Sequence, residues 1–113
     1  MPLHLVLHHR RAREQPWSNA WEDDDRIRAI TTTDEVGDLC TAAMKRNEEI
    51  FIHRCAWSGG EPVVCCAAKI ASVDQMPQRE AFVRFHKTRQ LHVLPTERPR
   101  AGQNFYEAAA PRT

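Results

Sequence analysis

The sequence predicts an α+β domain in which one amphipathic helix, at about 33–46, packs on a curved, mostly antiparallel sheet of five or six strands. Three features of the chain carry this prediction. Val36, Leu39, Cys40, Ala43 and Met44 recur at intervals of three and four residues, which draws one apolar stripe along a helix. Ile50–Cys55 and Val63–Val73 are apolar, and Ser58-Gly59-Gly60-Glu61 between them is a turn signal. The later strand segments follow one another through short links, which suit antiparallel pairs; parallel pairs need long crossovers.

In chain order, Leu3, Leu5 and Leu7 alternate with His4, Val6 and His8, a two-residue period that predicts a strand with one buried face. Residues 10–25 are polar around Pro16, Trp17 and Trp21 and read as an irregular connection with room for one helical turn. Arg26–Thr31 is a short strand. Thr33 caps the helix, Asp34 and Glu35 suit its positive end, Lys45 and Arg46 its negative end, and Asn47 stops it. Ile50–Cys55 opens a run of strands. Pro62 starts the next without losing a needed ladder bond, and the apolar run of Val63–Val73 predicts a central strand covered on both faces. Gln75-Met76-Pro77-Gln78 turns the chain into Ala81–Lys87, and Leu91–Leu94 closes the set as a further strand. Residues 1–97 form the expected single domain. Residues 98–113, rich in Pro, Arg, Gly and Ala, are a tail partly packed on it through Phe105 and Tyr106.

Composition narrows the class of protein. The 113 residues suffice for one core, and 42% hydrophobic with 27% charged residues is a globular rather than a disordered balance. No apolar run is long enough to span a bilayer, so no membrane partner is expected. The first residues place their charges after the apolar run, the reverse of an export signal, which makes the cytoplasm the expected compartment and reduced thiols the expected state of Cys40, Cys55, Cys65 and Cys66. The net charge of +1 conceals an asymmetry. Residues 1–50 carry seven Lys/Arg against ten Asp/Glu, and residues 78–113 carry seven against three. Arg79, Arg84, Lys87, Arg89, Arg98 and Arg100 would make a polyanion surface if one face held them all; otherwise the two ends neutralise each other.

Candidate chemistry gathers around Ile50–Trp57 and the Cys65-Cys66 pair. His53 and Cys55 lie two apart on a strand, about 7 Å, and could share a metal with Cys65 or Cys66 across the turn, but the spacing fits no known zinc pattern. A turn centred near Gly60 would set Cys55 opposite Cys65. A thiol–imidazole nucleophile would need His53 to meet Cys65 or Cys66 across the ladder. His4 and His8, roughly 13 Å apart, cannot share an ion and read as surface or interface residues. His86 and His92 could face each other across the final hairpin. Trp17, Trp21 and Trp57 stand in loop-like surroundings, where large aromatics plug a core or line a pocket. No Gly-rich phosphate loop, nucleophile elbow or His-Glu-x-x-His sequence occurs.

The preferred expectation is a non-enzymatic small binding or interaction protein with an aromatic-lined ligand or protein site formed by Trp17, Trp21, Trp57, His53 and Arg54. No catalytic residue, metal ligand or cofactor is assigned. One helix cannot cover both faces of the sheet, so self-association, as a homodimer, is expected. The possible partners are a small hydrophobic ligand or a protein. The first alternative is a nucleic-acid-associated accessory protein using the C-terminal arginines. The second is a small Cys/His enzyme or metal protein.

Overall fold

The structure is a computed structural model that describes residues 1–8, 20–21, 26–31, 34–55, 63–100 and 105–112; for residues 7, 8, 20, 21, 26–31, 34, 54 and 55 only the backbone is described. It is an α+β fold: one helix, α1 (Asp34–Lys45), on a mostly antiparallel sheet that does not close into a barrel. The strands are β1 (Leu3–His8), β2 (Ala20–Trp21), β3 (Arg26–Thr31), β4 (Glu49–Cys55), β5 (Val63–Gln75), β6 (Ala81–Val93) and β7 (Phe105–Glu107). Their spatial order is β2-β3-β6-β5-β4-β1-β7. Among the described residues only β1–β4 is a parallel pair. Five strands are long, and the two- and three-residue strands β2 and β7 form the edges.

The helix forms where its apolar period predicts. Val36, Cys40 and Ala43 are buried, and Leu39 and Met44 pack beside them. Gly37 lets the helix approach closely, since a side chain there would begin 3.3 Å from Ala81 Cβ. Asn47 ends the helix with φ 52°, the left-handed conformation that asparagine tolerates. Its N–H bonds Met44 O, and the Glu48 N–H bonds Ala43 O, both at 3.0 Å, so two terminal carbonyls are satisfied. Beneath α1 lies the main core: Leu3 and Leu5 of β1, Ile50 and Ile52 of β4, Cys66, Ala68 and Ile70 of β5, and Ala81, Val83 and Phe85 of β6. These alternate positions share the helix-facing side of the sheet.

Four expectations change. β1 is buried on both faces, because Leu3 and Leu5 meet the helix-side core while His4 and Val6 are buried as well. β4 and β7 flank this strand, leaving it no free edge. β5 is central, but both its faces are covered only over Val64–Ala68; from Ala71 its residues are exposed or half-buried. Ala81–Lys87 and Leu91–Leu94 are not two strands. Ala81–Val93 is one continuous strand, since Lys87–Gln90 contains no turn-forming residue and β5 supplies partners throughout. Trp21 lies in a strand, not a helical turn, because β2 pairs with the edge of β3. The C-terminal Phe105 and Tyr106 enter the sheet as β7, an added edge strand paired with β1.

Candidate functional site

The sheet face turned away from α1, the far face, divides into two halves with different chemistry. The first spans β7, β1 and β4. Register sets Tyr106 opposite His4 and His4 opposite Phe51, an aromatic row across three strands. The His4 ring stacks on Tyr106 with centroids 4.8 Å apart and meets Phe51 at 5.3 Å. His53, two residues along β4, turns its ring edge toward both His4 and Tyr106. His4 and His53 are each 0% exposed.

Hydrogen bonding fixes the protons in this row. Carbonyl oxygens only accept. His4 Nε2 therefore donates to Ala108 O, at 3.1 Å, and the Tyr106 hydroxyl donates to Glu97 O, at 2.8 Å. A neutral His4 is left with an accepting Nδ1, so His53 Nε2–H is the donor of the 2.8 Å bond between the two rings. The Tyr106 oxygen lies 3.2 Å from the same His53 nitrogen as a second acceptor. This leaves the lone pair of His53 Nδ1, which is buried and has no hydrogen-bond partner. Burial, reinforced by the neighbouring His4, pulls His53 down to about 4, and burial also lowers His4 against the opposing Ala108 bond. Burial, with the Glu97 carboxylate, pushes Tyr106 up to about 12. The three groups are a neutral network at pH 7.

The second half spans β5, β6 and β3. Register places Arg26, His86, Lys69 and Glu49 in one cross-strand row and Arg28, Arg84 and Ser72 in the next. Arg89 lies opposite Ala67, beside Phe51, which continues the aromatic row into this half. Arg84, His86 and Arg89 are exposed, and Lys69 is half-buried. The Arg84 guanidinium sits 4.8 Å above the Phe82 ring and 4.0 Å from Asp74. Arg89 pairs with Glu49 at 2.7 Å. Partial burial works to raise the Glu49 carboxyl, but hydrogen bonds from Arg89 and Thr88 outweigh it and hold the group below its ordinary range. Lys87 of the suggested basic set pairs with Ala68, whose side chain is on the helix side, so it leaves this face.

The residues expected to form one site do not all meet. Trp17 and Trp57 lie outside the described residues. Trp21 is on β2, four strands from His53 and Arg54 on β4, or about 19 Å at ordinary strand spacing. Arg54 holds a register position between Leu7 and Val63. His4 is not a surface residue: its ring is sealed between Phe51 and Tyr106, and both of its nitrogens are used. His86 and His92 do not face each other, since they lie six positions, roughly 20 Å, apart on one strand.

The proposed His53–thiol constellation does not form with Cys65 or Cys66. His53 is committed to His4 on the far face, whereas Cys65 and Cys66 pack with the helix-side core. The ladder is also shifted. Ile52 lies opposite Cys66 and His53 opposite Val64, so the expected Cys55–Cys65 pairing is absent. Among the described residues no group of three His, Cys, Asp or Glu side chains could hold a metal ion. Burial pushes the Cys40 thiol up to about 12. No described helix is long and apolar enough to cross a membrane.

Sequence reasoning missed His4, Phe51 and Tyr106 as members of one network. The signal available was the alternation of β1, which puts His4 and Val6 on the side opposite Leu3 and Leu5. Comparison with protein-family models, with curated proteins and with solved structures finds nothing that matches this chain.

Proposed function

We propose that this protein is a non-enzymatic binding module that docks a polyanionic strand, single-stranded nucleic acid, on the cationic half of its far face. The observation that carries this reading is the register: Arg26, His86 and Lys69 in one row, Arg28 and Arg84 in the next, with Arg89 adjoining, across three neighbouring strands. Six basic positions stand there against the carboxylates of Glu49 and Asp74. Both ion pairs are substantially exposed, and such pairs contribute little, so exchanging a carboxylate for a phosphate costs little. Phe82 adds a half-buried aromatic on the same face, the type of surface on which bases stack. A second copy of the chain is a poor occupant of this half, because two cationic faces repel. An enzyme is also disfavoured, since His4 and His53 are neutral, the first locked to the Ala108 carbonyl and the second to His4, and Cys40 is held as a protonated thiol.

The test is binding of a mixed-sequence single-stranded oligonucleotide, read by fluorescence anisotropy at several salt concentrations. Four phosphate contacts give a log–log slope of about −3. Arg84→Glu together with Arg89→Glu is expected to abolish binding at moderate salt. No binding at low salt, or binding that the double reversal leaves unchanged, refutes the reading.

A second reading, a small ligand that opens the sealed row of His4, Phe51 and Tyr106, is favoured by the unpartnered Nδ1 of His53. Its occupant must offer an N–H or O–H donor. Screening a fragment library by the nitrogen chemical shift of His53 Nδ1 tests it, and a resonance that no fragment moves ends it.

A further inference from the structure

The double cysteine takes no part in either half of the far face. Neighbouring residues on a regular strand point to opposite sides of the sheet. Here the β4–β5 register slips: Ile52 faces Cys66, His53 faces Val64, and Cys65 is the extra residue between them. A bulge of this kind re-aims a side chain. Both thiols consequently belong to the helix side, Cys66 within the core cluster and Cys65 packed against it. Cys65 Sγ lies 3.2 Å from Ile52 O, to which it donates. Cys66 is fully buried, whereas Cys65 is only half-buried and gives the pair an approach from solvent. The hydrogen bond with Cys65, followed by burial, pushes the Cys66 thiol up, and Lys87 opposes the shift. A cation therefore acts on the pair from β6. Lys87 Nζ bonds Gln90 Oε1 at 3.1 Å, and Gln90 Nε2 donates to Cys65 O at 3.2 Å.

We propose that Cys65 and Cys66 form a two-thiolate site for a thiophilic cation, monovalent copper. Binding breaks two S–H bonds, forms two Cu–S bonds and releases two protons to solvent, with no change of oxidation state. The product carries one net negative charge, which the Lys87 ammonium offsets. Soft thiolates select monovalent copper, whereas structural zinc requires four ligands. The protons of two thiols compete with the metal, so its apparent affinity rises about a hundredfold per pH unit below the thiol titration.

The experiment titrates the reduced full-length chain with Cu(I) under anaerobic conditions against bathocuproine disulfonate. One ion per chain is expected, with the two-proton pH dependence and with no zinc retained in a parallel arm. Cys65→Ser and Cys66→Ala each lose the ion; Cys40→Ala and Cys55→Ser keep it. Phenylarsine oxide, which bridges two adjacent thiols with loss of water, is expected to block copper uptake at one equivalent. Cys66→Ala alters the core, so far-UV circular dichroism accompanies it, and Cys65→Ser, at the half-buried position, carries the result if Cys66→Ala does not fold. Copper that the chelator strips completely overturns the proposal. So does copper held equally well by Cys65→Ser, or copper lost on Cys55→Ser.

Discussion

On the face of the sheet away from α1, the row Tyr106–His4–Phe51 and the row Arg26–His86–Lys69 belong to one continuous ladder, yet they meet water differently. The first is overlaid by the chain's own C-terminal segment. Glu97 O accepts from Tyr106, Ala108 O accepts from His4, and the Ala108 N–H reaches Pro2 O at 3.3 Å. Thr96 Oγ1 donates to Ala110 O and ties that segment to itself. In the second half the Arg84, His86 and Arg89 side chains are exposed. The comparison teaches that polar residues on a strand do not by themselves decide whether a face is wet. Imidazoles enter the dry half because fixed acceptors satisfy their N–H groups, the Ala108 carbonyl for His4 and the His4 ring nitrogen for His53. Guanidinium and ammonium groups stay in the wet half because removing their hydration would cost several kcal/mol each.

If the dry half is a structural unit, breaking it should cost far more than breaking the wet half. The largest effect is expected from His53→Ala, which empties a fully buried site and strips His4 Nδ1 of its donor. About 3 kcal/mol of stability should be lost, measured as a shift of the urea midpoint. A loss under 1 kcal/mol would mean that the network is not buried as described.

Acid should produce a comparable effect without mutation. His53 titrates near 4 in the folded protein against an ordinary 6.5, so the unfolded chain binds the extra proton first. Its contribution is complete above pH 6.5 and is lost as pH falls toward 4, roughly 3 kcal/mol in all; the lowered His4 acts in the same direction. Urea unfolding from pH 7 to pH 4 checks this, and stability that stays flat over that window contradicts it. His53→Ala should lack most of the slope.

Tyr106→Phe keeps the ring stacked on His4 and removes one hydroxyl, leaving Glu97 O without its donor. The expected loss is about 1 kcal/mol in the same assay. The smallest effect belongs to the wet half. Arg84→Gln and Lys69→Gln should each change stability by no more than about 0.5 kcal/mol while weakening oligonucleotide binding and lowering its salt slope. Arginine changes that destabilise as much as His53→Ala would erase the distinction between the halves.

Much of the fold is legible in the chain. The 3–4 spacing of Val36, Leu39, Cys40, Ala43 and Met44 locates α1 to within a residue or so, and Asn47 marks its end through its own chemistry. The turn signal of Gly59-Gly60 in the sequence and the turn at Pro77 reveal the antiparallel β4–β5–β6 set, because each depends on neighbours close in sequence. The site is far less legible. His4 and His53 are 49 residues apart, and His4 and Ala108 are 104 apart; no local period reports such contacts. The bulge at Cys65 is equally hidden, since a one-residue slip leaves composition and alternation unchanged while reversing which side a thiol takes. The cationic rows required the β3–β6 register, which aligns Arg26 and Arg28 with residues nearly 60 positions later.

The placement of β1 between β4 and β7 has a kinetic corollary. The β4–β5–β6 meander closes short loops and can zip up early, but β1 must wait for a distant partner on one side and for a still more distant one, β7, on the other. During synthesis on the ribosome, residues 3–8 emerge before both of their sheet neighbours and cannot complete their place until residues 105–107 have been added. Until then this leucine-rich stretch has no second neighbour to shield it from other nascent chains.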